Sequence, residues 1–65
     1  MRCTFHVDGK PKLTWTEDRD LPLPPDSAID HEGKSFVVTS GPEFAADIEL
    51  AAMSASFTVA PAPRR

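Results

Sequence analysis

The chain has 65 residues, ten acids against seven Lys and Arg, 40% hydrophobic residues and a formal net charge of −3. That length allows one domain whose core is only marginally sufficient. A single cysteine, Cys3, excludes an internal disulfide, so stability is expected from a well-closed barrel or from oligomerisation. No apolar run approaches transmembrane length, and no basic-then-apolar leader opens the sequence, so a cytoplasmic protein that does not enter membranes is expected.

Arg2 to Val7 alternates, with Cys3, Phe5 and Val7 on one face and Arg2, Thr4 and His6 on the other. This is the pattern of a half-buried strand. Asp8-Gly9-Lys10-Pro11 signals a turn. Leu13 to Glu17 alternates again, with Leu13 and Trp15 inward. A three-residue or bulged loop setting Phe5 opposite Leu13 and Cys3 opposite Trp15 keeps the faces matched, whereas a plain two-residue turn mixes them. Pro11 then belongs at a strand start or edge.

Leu21-Pro22-Leu23-Pro24-Pro25 excludes a helix or a central strand. An extended, stiff loop is expected, with Leu21 and Leu23 pinning it over the open end of a barrel. The same run has the minimal PxxP spacing of SH3-type ligands, but ordered domains use such prolines commonly as rigid connectors, and that reading is preferred.

Ala28 to Ser40 reads as one hairpin turning at Glu32-Gly33. His31 then opposes Lys34, Asp30 opposes Ser35, and Ile29 opposes Phe36, which places Ile29, Phe36 and Val38 on one face. Gly41 to Phe57 carries mixed signals. Ser40-Gly41-Pro42-Glu43 has capping-box spacing and Ala45, Ala46, Ala51 and Ala52 favour helix. The apolar residues nevertheless fall on opposite sides of a helix, so a strand over about 46–51 is preferred, with Asp47 and Glu49 outward. A helix over 43–53 is the rival. Ser54 to Ala60 reads as a last strand with Ala55, Phe57 and Val59 inward, followed by an extended Pro/Arg tail over 61–65.

The expected fold is therefore mainly β: a single domain over 1–60, forming an SH3-like barrel or roll of five or six short antiparallel strands. The turn pattern resembles that of short β-barrel proteins encoded by phages and prophages. The resembling features are Val7-Asp8-Gly9-Lys10 closing the first strand, the Leu-Pro connector at Leu21 to Pro25, and the Gly33 to Val38 hairpin run. The likeness covers residues 1–40. It implies a virion part or an inhibitor of a host system and carries no functional residues with it.

Chemistry is sparse. Cys3 and His6 point to opposite faces of one strand, and with His31 they leave a closed zinc site one ligand short, so no metal is expected. No nucleophile motif, P-loop or dinucleotide glycine pattern is present; the expectation is a non-catalytic protein without cofactors. Charge is uneven: Glu17 to Leu50 holds nine acids against Arg19 and Lys34, net −7, while the remainder is net +4. Such a field disfavours nucleic acid and favours a basic protein partner. Asp30, Glu32, Asp47 and Glu49 are the residues expected to make that contact. The alternatives are a structural subunit, homo-oligomeric in an assembly, and a small barrel binding nucleic acid through a basic patch of Arg2, Lys10 and Lys12 with Arg64 and Arg65.

Overall fold

The computed structural model describes residues 1–63. It contains five strands: β1 Arg2–Val7, β2 Lys10–Asp18, β3 Ala28–His31, β4 Lys34–Asp47 and β5 Ala52–Pro61. They form one sheet in the order β2-β1-β5-β4-β3, curled into a half-barrel. The β1–β5 pair is parallel and the other three are antiparallel. The expected all-antiparallel arrangement is thus corrected to a mixed sheet. Hairpins fix the direction of strands joined by short turns, but β1 and β5 are joined by nothing local, and their pairing is set by how the sheet curls.

Alternation supplies the core. Cys3, Phe5 and Val7 of β1, Ile29 of β3, Phe36 and Val38 of β4, and Ala55, Phe57 and Val59 of β5 are all buried on the concave face. The convex face carries Thr14, Thr16, Thr4, His6, Ser54, Ser56 and Thr58 in cross-strand register. One apolar face per strand is all that a curled sheet needs.

The two edge strands, β2 and β3, share no hydrogen-bonded ladder among the described residues. Their side chains meet instead. The Trp15 indole of β2 stacks on the His31 imidazole of β3 at 4.1 Å between centroids and 5° between planes. It also lies 5.3 Å from Phe5 and 5.1 Å from Phe36. Phe5 in turn stacks on Phe57 at 5.5 Å. A chain of aromatic rings therefore crosses the concavity. Trp15 Nε1 donates to Glu17 Oε1 at 2.7 Å, and Arg19 Nε donates to Glu17 Oε2 at 3.2 Å, so the indole's polar end is satisfied. The Leu-Pro connector joins the two edges. Leu21 and Leu23 pack half-buried against the core, while Pro22, Pro24 and Pro25 face solvent.

Three local expectations change. First, the β1–β2 connection is a plain Asp8-Gly9 turn, with Val7 opposite Lys10 and Phe5 opposite Trp15. The slack is taken up by a bulge that loops out Pro11 to Leu13 and leaves Leu13 38% exposed. A two-residue shift keeps each side chain on its face, so Trp15 still points inward. Second, residues 43–53 form no helix, and of the strand expected over 46–51 only Ala46 and Asp47 are strand, the rest being a turn. β4 runs through to Asp47, and β5 begins at Ala52. Two bulges between Val38 and Glu43 bend β4 where the helix start was sought. Gly41 sits there at φ 116°, a conformation closed to a helix, with Pro42 after it. Third, β5 extends to Pro61, and the Ala62 amide donates to the Ser35 carbonyl at 2.9 Å. The supposed tail therefore begins as paired strand, and its last two residues, Arg64 and Arg65, lie outside the described residues. The Glu32-Gly33 hairpin has the expected register, with φ of 50° and 76° at the two turn residues. Positive φ at both matches the twist of the strands they join.

Two stability outcomes follow. Replacing Trp15 with Ala removes the contact between the edges and should cost about 3 kcal/mol, a large share of the stability of so small a domain. His31→Ala should red-shift and weaken protection of the single tryptophan's fluorescence against quencher while the fold persists. An unshifted spectrum would contradict the stacked closure. A Cβ at Gly41 would lie 2.8 Å from the Ser56 carbonyl oxygen and 2.9 Å from Phe57 Cδ1. Gly41→Ala should therefore destabilise by roughly 1–3 kcal/mol, read as a lower thermal midpoint, whereas a matched Ala46→Gly should change it little.

Candidate functional site

β1 spans six residues and pairs with β5 only over Ser54–Val59, whereas β4 is fourteen residues long and β5 ten. The ends of β4 and β5 have only each other as partners and project past the half-barrel as an arm. The molecule is accordingly elongated, 45 × 24 × 19 Å.

The arm is apolar where it should be wet. Phe44 opposes Ala55 and Ala46 opposes Met53, which places Phe44 and Met53 on the face that is core further along β5. Met53 lies beyond β1, and Phe44, level with Cys3 through Ala55, lies beyond β3, which pairs with β4 only over Lys34–Val37; among the described residues no further strand covers that face there. Phe44 is 55% exposed, Met53 54%, and the turn residues Ile48 and Leu50 are 91% and 74% exposed. Single exposed apolar residues are ordinary, but four on one projecting element are a concentration of the kind that marks an interaction site.

The acids of the arm lie on its other face or in its turn: Glu43 opposes Ser56 of the convex face, Asp47 shares that phase, and Glu49 follows in the turn. Between Thr39 and Met53 the charged residues are Glu43, Asp47 and Glu49, all exposed. Asp47 also builds the tip: its Oδ1 accepts the Leu50 amide at 3.2 Å, while the Ala51 amide donates to the Ile48 carbonyl at 3.3 Å. This side-chain cap is how an aspartate holds a turn. Asp47 thus closes β4 and Glu49 lies in the turn, rather than both projecting from one strand. Arg2 lines a depression with Asp47, Leu50 and Met53 at the arm's root.

The four acids singled out in the sequence divide into two pairs. Asp30 and Glu32 belong to the β3–β4 hairpin, where Asp30 Oδ1 accepts from Ser35 Oγ at 2.8 Å and Glu32 Oε1 lies 3.9 Å from His31 Nε2. Asp47 and Glu49 sit at the other end of β4. Each pair is brought together; the two pairs are not. In a strand over 46–51 Ile48 and Leu50 would face inward; they lie instead in an exposed turn, and the signal for this is that β4 and β5 are longer than the strands beside them.

The other chemical candidates are dispersed. Cys3 is fully buried, His6 lies on the opposite face of β1, and His31 is held against Trp15. Among the described residues no three His, Cys, Asp or Glu side chains converge on one point. Arg2 opens β1, while Lys10 and Lys12 follow the turn at its other end, so the basic patch is divided as well. No helix among the described residues is long and apolar enough to cross a membrane. Comparison with protein-family models, with curated proteins and with solved structures found no match.

Proposed function

We propose that this chain is a non-catalytic protein-binding module whose contact element is the β4–β5 arm. The observation that carries this reading is the exposed quartet Phe44, Ile48, Leu50 and Met53 on a projecting hairpin. Their burial is the main favourable term the arm can offer, since each large apolar side chain removed from water contributes roughly 1.5–3 kcal/mol before ordering costs. Asp47 and Glu49 at the tip, with Glu43 on the arm's other face, give the whole element a negative field that favours a basic partner, by steering encounter and rejecting acidic surfaces. The partner is a protein presenting an apolar pocket edged by Lys or Arg. A nucleic-acid-binding host complex has that chemistry, and an inhibitor that occupies its basic groove fits both the charge pattern and the likeness to phage-encoded barrels. Asp30 and Glu32 take no part in the arm's contact.

The test is affinity capture from nuclease-treated bacterial lysate, with three variants beside the native chain. Ile48→Ser with Leu50→Ser should lower capture of a stoichiometric basic protein at least about tenfold. Circular dichroism and thermal midpoint should stay unchanged, because exposed positions contribute within about 0.5 kcal/mol. Glu43→Lys with Glu49→Lys should do the same and remove the salt dependence; Asp47 is left in place to keep the turn. Asp30→Lys with Glu32→Lys should bind as the native chain does. Undiminished capture by the first variant would overturn the reading.

A further inference from the structure

The end of the half-barrel farthest from the arm holds a cleft of about 470 Å³, lined by Val7, Lys10, Leu13, Lys34, Phe36 and the Pro61–Pro63 segment. It forms where three pieces of chain meet: the β1–β2 turn with its bulge, the start of β4, and the end of β5. Its volume lies within the range of about 300–1,000 Å³ typical of binding clefts. Val7 and Phe36 form the floor but are almost fully buried, so the exposed lining is as much polar as apolar, and the bulge in β2 turns Leu13 outward to add an apolar wall. The charged residues lining it are Lys10 and Lys34, neither of which forms an ion pair among the described residues. Carboxylates at this end, Asp8, Asp30 and Glu32, sit on the flanking turns and strand and do not line the cleft.

Cleft and arm tip are opposites in shape and charge. One is concave, mixed in its lining and edged by lysines; the other is convex, with exposed Ile48 and Leu50 beside Asp47 and Glu49, and Arg2 near its base. β4 carries both, with Lys34 to Phe36 in the cleft at its start and Asp47 at the tip at its end. A cleft and a tip at opposite ends of one rigid ladder cannot meet within the same molecule. They can meet between molecules.

We infer that the cleft receives the arm tip of a second copy of this chain, with Ile48 and Leu50 on its floor and Glu49 beside Lys10 and Lys34. The inference rests on reading the arm as a binding element. Such a contact is heterologous, head to tail, so each added copy leaves one tip and one cleft free, and the assembly grows as an open chain. Its axial repeat is shorter than the 45 Å long axis of one molecule by the depth of insertion. A single tip in a small cleft buries far less than the roughly 1,200 Å² of a stable specific interface, so the association is weak and appears at high concentration.

Sedimentation velocity on the full chain from about 10 μM to about 1 mM, a span that brackets weak association, tests this with two double variants. Lys10→Glu with Lys34→Glu destroys the cleft and leaves the tip. Ile48→Ser with Leu50→Ser destroys the tip and leaves the cleft. The native chain should grow in mass with concentration without stopping at two copies, and more weakly in high salt. Each variant alone should be monomeric, and an equimolar mixture should stop at one copy of each, because only one tip and one cleft remain intact. A native chain that stays monomeric at the highest concentration overturns the inference. So does self-association by the cleft variant, which would place the contact tip to tip. So does a mixture that fails to pair when the native chain associates. The cleft variant keeps its arm and should still capture the basic partner, so loss of self-association and loss of partner binding are read separately.

Discussion

Everything else in the molecule rests on the Trp15 side chain reaching from one edge of the sheet to the other. Hydrogen bonds join β2 to β1, β1 to β5, β5 to β4 and β4 to β3, and there they stop. A five-stranded sheet with one apolar face and no second layer would leave that face in water. Curling solves the problem only if the edges are held together, and here an indole stacked on His31 and tilted against Phe36 does so in place of a backbone ladder. Nonpolar contact is less directional than a hydrogen-bonded ladder, which lets the edges differ in length and register. It also concentrates closure on one residue rather than on a row of amides. The Leu-Pro connector adds to it, because it must travel from β2 to β3 and lays Leu21 and Leu23 on the core as it does so.

Closure sets how much of each strand the half-barrel can use. β1 supplies three buried side chains and β5 supplies three. A residue of β5 beyond the reach of β1, or of β4 beyond the reach of β3, keeps its alternation but loses its cover. Phe44 and Met53 are therefore core residues by phase and surface residues by position. The bulges around Gly41 bend β4 at the point where it leaves the barrel, so the arm departs at an angle set by two extra residues and by a glycine that tolerates close approach to Ser56 and Phe57. The arm and the barrel are one continuous ladder, which makes the arm a stiff presenter of its tip rather than a loose loop.

Local features were legible in the sequence and non-local ones were not. The inward sets of β1, β3 and β5 and the turn at Glu32-Gly33 follow from period-two alternation and turn chemistry, both of which act over a few residues. The β1–β5 pairing joins segments some fifty residues apart, as Arg2 with Ser54 shows, and no local rule gives its direction. The helix that rivals a strand over 43–53 has a similar origin. Alanines and a Ser-Gly-Pro-Glu start favour a helix in isolation, yet the same residues pair with β5 because β5 is already anchored by its buried half. At the candidate site, the acids were visible by composition alone, but whether they share a surface depends on strand length. β4 is long enough to put Asp30 and Glu32 at one end of the molecule and Asp47 and Glu49 at the other.

The charge asymmetry of the chain acquires a spatial meaning through β4. Asp47, Glu49 and uncovered aliphatic residues gather where this strand ends; where it begins, two lysines flank a cleft of mixed lining, with Asp30 and Glu32 outside it. A protein of 65 residues has few apolar side chains to spare, and leaving Phe44, Ile48, Leu50 and Met53 in water lowers both stability and solubility unless something covers them. A basic protein partner and a second copy of the chain would cover the same tip, so the two cannot occupy it together. On both proposals, binding the partner would remove the tip from self-association and cap any chain of copies at that end. The relative strength of the two contacts would then decide which form prevails: a tight partner would hold the protein as a one-to-one complex, and in its absence rising concentration would favour the chain.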